Sequence, residues 1–253
     1  MCGCLHVVGS VSTSHCIAPW TTYRVLVSAV ANRYTSPPQS VLATTAETAP
    51  TSPPISTLAS IGSTNIALTV YSPLVPNGQI VRYIIDAIPV DGVVGTTAVQ
   101  TARYLTSAEI FSLMQNTSVS ISLAGLHAYT TYNISITSST AEGDGPPLWL
   151  ATATQQDVPP AMAAPAVTAT TDTVEVQWAA ASDENGPVLG YELVVNGDAA
   201  LSGSGSTNGS VVYSGTGYST NVDVSYVSST FFVRAFTVAG SGPLSPPAHA
   251  HSN

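Results

Sequence analysis

Apolar and polar residues alternate singly through much of this chain, and the alternation comes in short runs closed by turn residues. Tyr132, Ile134 and Ile136 interleave with Asn133, Ser135 and Thr137, the period-two pattern of a strand with one face in a core and the other in water. Gly143-Asp144-Gly145-Pro146 ends that run with residues that supply positive φ and withhold a ladder donor. The same arrangement occurs upstream, where Tyr23, Val25, Val27 and Ala29 alternate ahead of Ser36-Pro37, and downstream, where Phe231, Val233 and Ala235 alternate ahead of Gly240-Ser241-Gly242-Pro243. Three copies of one pattern make an internal repeat. Thr45-Ala46-Glu47-Thr48-Ala49-Pro50 and Thr154-Gln155-Gln156-Asp157-Val158-Pro159 separate the copies as short polar links ending in proline. The division is therefore 1–48, 49–156 and 157–253.

Within 1–48 the pattern predicts two strands, 23–30 and 40–45, with a turn at 32–38; residues 1–17 are too few to supply further strands of a sandwich. In 49–156, a proline-rich margin at 50–54 precedes a strand at 65–71, in which Ile66, Leu68 and Val70 alternate. Strands follow at 79–87 and 93–100, joined by an Asp91-Gly92 turn. Thr106-Ser107-Ala108-Glu109 then has the form of a capping box, and Ile110, Leu113 and Met114 fall at helical spacing. This predicts a short inserted helix, read as a hydrophobic lid over the sandwich in preference to a binding loop. In 157–253, Val174, Val176 and Trp178 alternate, Asn185-Gly186 turns the chain, and Tyr191, Leu193 and Val195 form the next strand. Asn196-Gly197 reads as the following hairpin, 202–206 as a Gly-Ser loop, and 246–253 as a solvated tail carrying His249 and His251.

The stretch Leu126-His127-Ala128-Tyr129-Thr130-Thr131-Tyr132, with its alternation and its Gly-x-Gly-Pro turn, resembles the penultimate strand of the fibronectin type III family, with Ala128 where the family has proline. The resemblance implies an all-β chain of immunoglobulin-like β-sandwiches in tandem, one truncated copy and two complete ones. It makes Tyr132 a tyrosine corner, a buried ring whose hydroxyl bonds to the backbone upstream, with Tyr23 in the same place in the first copy and Phe231, lacking the hydroxyl, in the third. Tyr71 stands where the family has a strand tryptophan, and Tyr83 matches its strand tyrosine. The structural core is expected to include Tyr23, Tyr71, Tyr83, Leu126, Tyr132, Trp178, Tyr191 and Phe231.

Composition narrows the function. Hydrophobic residues make up 44% of the 253, enough for packed cores, and charged residues only 8%, with no lysine and a formal net charge of −9. Such a chain has no basic face for nucleic acid. Ser and Thr, roughly a quarter of the residues, suit exposed strand positions. No apolar run is long enough to span a membrane, and Met1 to Val8 lacks the form of a signal peptide. Cys2, Cys4 and Cys16 are odd in number and lack zinc-site spacing. No nucleophile elbow, phosphate loop, dinucleotide fingerprint or calcium loop occurs; His127 lies in a loop, and Glu142, Asp144, Asp183 and Glu184 sit at turns. No catalytic, cofactor or metal site is therefore expected. Asn116, Asn133 and Asn208 head Asn-x-Ser/Thr sequons, with Asn133 outward beside the inward Tyr132. The resemblance implies a non-catalytic segment of a longer extracellular or cell-surface protein, meeting other proteins through sheet faces or interstrand loops in adhesion or as a spacer. The alternatives are an accessory array beside a polysaccharide-acting enzyme and an intracellular filament scaffold.

Overall fold

The computed structural model describes residues 3–4, 16–90, 98–115, 118–170, 173–182, 185–197, 209–223 and 228–251. Over these residues the chain is all-β apart from one short helix, and its ladders are antiparallel. It divides into two compact units: Met1–Ile61 with Asn65–Gly125 and Thr131–Thr152, and Gly62–Thr64 with Leu126–Thr130 and Ala153–Asn253.

The first unit begins with a two-residue ladder of β1 (Gly3–Cys4) on β2 (Cys16–Ile17), where the pattern predicted no strand. A hairpin follows, built from β3 (Thr22–Val27), β4 (Val30–Ala31), β5 (Tyr34–Thr35) and β6 (Gln39–Thr44). β3 pairs with β6, and β4 with β5 around Asn32 at φ 55°. The single strand expected at 23–30 is thus two, because Ser36 bonds both backbone groups of Ala29: its hydroxyl accepts the Ala29 N–H at 2.9 Å, and its own N–H donates to the Ala29 carbonyl at 2.8 Å.

Next in chain order come β7 (Ile55–Ile61), β8 (Asn65–Tyr71), β9 (Arg82–Pro89), β10 (Val99–Tyr104), α1 (Ser107–Met114), β11 (Ser118–Ala124), β12 (Thr131–Thr140), β13 (Gly143–Asp144) and β14 (Leu148–Ala153). One sheet has the order β11-β8-β7; the other runs β10-β9-β12-β13, with β14 also on β12. Ile66, Leu68, Val70, Tyr83, Ile85, Tyr132, Ile134 and Ile136 are fully buried, so two apolar faces form one immunoglobulin-like core. β7 and β11 were not anticipated. β7 hides its period behind a bulge between Leu58 and Ser60, whereas β11 alternates plainly, burying Val119, Ile121 and Leu123. The outer face of β12 is a correction. Asn133 is exposed, but Ser135 and Ser139 are buried, because β12 is a central strand and small hydroxyls can be covered once bonded. The Ser135 hydroxyl meets Asp86 at 3.3 Å and that of Ser139 meets Asp144 at 2.5 Å.

The second unit contains β15 (Ala166–Ala169), β16 (Thr173–Gln177), β17 (Gly190–Gly197), β18 (Ser210–Gly215), β19 (Ser219–Asp223), β20 (Ser228–Thr237), β21 (Gly240–Ser241) and β22 (Ala248–His251). Its sheets are β15-β16-β19 and β18-β17-β20-β21, with β22 also on β20. Met162, Val174, Val176, Trp178, Tyr191, Leu193, Phe231, Val233 and Ala235 form its core. Two expectations are corrected here. Asn196 and Gly197 are no turn but the end of β17, paired with Thr230 and Ser229, so the ladder to β20 consumes them. The tail is no free end either, since β22 adds to β20 and sets His249 opposite Thr230. The Asp91-Gly92 turn, Asp183, Glu184, the 202–206 loop, Asn116 and Asn208 lie outside the described residues.

Candidate functional site

The helix is held by reciprocal capping. The Glu109 N–H donates to Thr106 Oγ1 at 3.3 Å, and Glu109 Oε2 accepts the Thr106 N–H at 2.8 Å. The Thr106 N–H and the Thr106 hydroxyl, which donates to the same oxygen at 2.9 Å, hold the Glu109 carboxyl below the usual carboxylate range, reinforced by Arg103 at 2.6 Å. α1 is a partial lid: Leu113 is buried and Ile110 half-buried, but Met114 and Phe111 are 61% and 63% exposed. Beside it lies an open groove of about 660 Å³, lined by Ile110, Leu113 and Met114, by Tyr71 and Leu74 after β8, and by Trp20 of the hairpin. Its walls are mostly apolar and carry no carboxylate, basic side chain or cysteine, so they suit burial of an apolar group.

A second constellation fastens the links between the repeats. In the first unit the Thr48 N–H donates to the Asn77 carbonyl at 3.0 Å, the Asn77 amide to the Ala49 carbonyl at 3.2 Å, and the Thr140 hydroxyl to the Thr48 carbonyl at 3.1 Å. In the second unit the Asp157 N–H donates to the Asn185 carbonyl at 2.9 Å, the Asn185 amide to the Val158 carbonyl at 2.7 Å, and the Thr237 hydroxyl to the Asp157 carbonyl at 2.8 Å. The Asn185-Gly186 turn read from the sequence and its counterpart Asn77-Gly78 thus act as clamps on a polar link, the loop role of Asn put to a long-range use. Glycine completes each clamp. A Cβ on Gly145 would lie 2.7 Å from Pro50 Cβ, and one on Gly242 2.5 Å from the Pro159 carbonyl oxygen.

A third motif also occurs twice. In the hairpin, Thr45 Oγ1 accepts the Thr21 N–H at 2.9 Å and donates to the Ala18 carbonyl at 2.7 Å, with Trp20 at φ 47°. In the second unit, Thr154 Oγ1 accepts the Thr130 N–H at 2.9 Å and donates to the His127 carbonyl at 2.7 Å, with Tyr129 at φ 48°. The loop ahead of β3 therefore folds as the loop ahead of β12 does. The Tyr23 hydroxyl accepts the Ala18 N–H at 2.7 Å, a tyrosine-corner bond.

Of the expected core residues, Tyr83, Tyr132 and Phe231 are fully buried, and Leu126, Trp178 and Tyr191 are buried. Tyr71 and Tyr23 are only half-buried: Tyr71 closes β8 and lines the groove, and Tyr23 belongs to a hairpin with no opposing sheet among the described residues. Burial pushes the Tyr83 phenol well above its ordinary range; its hydroxyl donates to the Tyr71 carbonyl at 3.3 Å. Arg82 pairs with Asp144 at 2.9 Å and Arg234 with Glu192 at 2.7 Å. The Ser139 hydroxyl and Arg82 together hold the Asp144 carboxyl low. Each of these charges is committed to a partner within its own sheet. Among the described residues no three His, Cys, Asp or Glu side chains are grouped to hold a metal, and no helix is long and apolar enough to cross a membrane.

No family model and no curated protein matches this sequence. Among solved structures, the crystal structure of chicken CNTN1 FN1-FN3 domains is similar, at 18% identity over 95% of this chain and 78% of that one, with a TM-score of 0.36. The strand order within each unit, rather than this likeness, defines the fold.

Proposed function

We propose that this chain is a non-catalytic segment of fibronectin type III-like modules, a partial copy at 1–48 and complete copies at 49–156 and 157–253. Its role would be a spacer and protein-interaction element of a longer extracellular or cell-surface protein. The observation that carries the reading is the link clamp, built twice from Asn, Thr and Gly at matching places. A spacer works by limiting how far successive modules swing, and a link whose last residues are bonded to the sandwich it enters has fewer free torsions left. The exposed Asn133 suits a glycan in such a setting. The test is electron–electron distance measurement between spin labels on exposed Thr57 and Thr168, in a chain whose three native cysteines are replaced. A single narrow distance distribution that broadens in Asn185→Ala is expected; a broad distribution in the parent chain would refute the spacer role.

A further inference from the structure

The hairpin of β3 and β6 holds a place in the repeat that is only half filled. β12 is paired on one edge by β9 and on the other by β14, and β20 by β17 and β22. β3, which carries the same corner loop, is paired by β6 alone among the described residues. The ladder shows which groups remain unused. The Thr45 N–H donates to the Thr21 carbonyl, so Thr21, Tyr23, Val25 and Val27 turn their backbone groups to β6, while those of Arg24 and Leu26 face the open edge. The apolar surface is unused too: Leu26, Val27, Val41 and Leu42 are 58% to 70% exposed, and Arg24 is the one charge on β3 and β6. An open edge of this kind is a template for another strand unless charge or proline blocks it.

The two completed repeats specify what that strand looks like. β9 offers Tyr83, Ile85 and Ala87, and β17 offers Tyr191, Leu193 and Val195, each Tyr-x-apolar-x-apolar, with Ala87 opposite Ile134 and Leu193 opposite Val233. β3 itself reads Tyr23-x-Val25-x-Val27. We propose that β3 pairs antiparallel with β3 of a second copy of this chain, joining two chains through a four-stranded sheet of order β6-β3-β3-β6. With Val25 opposite its own counterpart, Tyr23 meets Val27 on the apolar face, and Arg24 and Leu26 of opposite copies exchange their free N–H and C=O groups. The same register keeps the two Arg24 side chains off each other and places each against Leu26. It is isologous, as a two-fold dimer requires, and does not depend on the spacer role.

Sedimentation equilibrium of the full chain, with amide exchange, tests the pairing. A concentration-dependent dimer is expected, with Arg24 and Leu26 amides exchanging as slowly as those of Tyr23 and Val25. Leu26→Lys sets a cation opposite Arg24 in both symmetry-related pairs and should weaken association by roughly tenfold. Leu26→Glu sets an anion there and should keep or tighten it. Neither substitution removes a backbone donor, and slow exchange at Tyr23 and Val25 reports that the hairpin survives. A chain monomeric at all concentrations overturns the proposal, whether the edge amides exchange freely or are protected by a strand of the same chain. So does a dimer that responds alike to lysine and glutamate.

Discussion

Thr140 donates its hydroxyl to the carbonyl of Thr48 at 3.1 Å, across a sequence separation of 92 residues. Thr237 does the same to Asp157 across 80. Both threonines are buried, at 4% exposure, so replacing either hydroxyl by a methyl removes the donor to the link carbonyl and the acceptor of the Glu142 or Ala239 N–H. Thr140→Val and Thr237→Val should each cost about 1 kcal/mol in chemical denaturation. Neutral substitutions at both sites would mean that the clamp adds nothing to stability.

Gly145 and Gly242 test the same clamp from the packing side. Each presses on a link proline, but the nearest atom to an added Cβ differs: proline ring carbon for Gly145, backbone carbonyl oxygen for Gly242. Alanine at either position should cost roughly 1 to 3 kcal/mol, with Gly242→Ala the more severe because a carbonyl yields less than a ring. Thermal melts of the two variants decide the order.

Trp178 anchors the second core, with ring centroids 6.2 Å from Tyr191 and 5.5 Å from Tyr213. Among the described residues its Nε1 has no hydrogen-bond partner, so its contribution is volume and ring contact. Trp178→Ala should destabilise the second unit by roughly 3 to 5 kcal/mol. Trp178→Phe should recover much of that loss, because no hydrogen bond is forfeited. Urea titrations followed by tyrosine fluorescence would measure both, and equal losses for Phe and Ala would contradict the packing account.

Acid should loosen the helix. Glu109 has a lowered pKa in the folded chain, set first by the Thr106 N–H and hydroxyl and then by Arg103. Its stabilising effect is therefore complete above the unfolded carboxyl value and is lost as pH falls through the lower folded value. Amide exchange within α1 should accelerate across that window, and Glu109→Gln, which can still accept the Thr106 N–H, should flatten the response. A pH-independent helix in the parent chain would count against the cap.

Although β11, which alternates as plainly, was not anticipated, several strands with one face buried were legible. β8 is a clear case, its bounds matching the alternation of Ile66, Leu68 and Val70, and α1 announced itself through its capping box. β12 was misjudged on its outer face because a serine reads as solvent-facing until its partners are known, and those partners, Asp86 and Asp144, are distant in sequence or lie beyond the turn. Asn196-Gly197 misled for the converse reason: the pair suits a tight turn, but cross-strand bonding to β20 overrides local preference. The groove could not be read at all, since Trp20, Tyr71 and Leu113 converge only after three separate elements have folded.

The distribution of cations has a practical consequence for enzymatic digestion. The sequence has five arginines and no lysine. Arg82, Arg103 and Arg234 are tied into ion pairs on or beside strands, whereas Arg24 and Arg33 belong to the exposed hairpin, with Arg33 in the turn between β4 and β5. A trypsin-like protease must draw its target arginine into an extended conformation, and the exposed turn at Asn32-Arg33 yields more readily than Arg24 held in the β3–β6 ladder, so brief digestion of the native chain should nick it at Arg33 first. The unions between the sandwiches, rich in hydroxyls and free of basic residues, offer such an enzyme no point of entry.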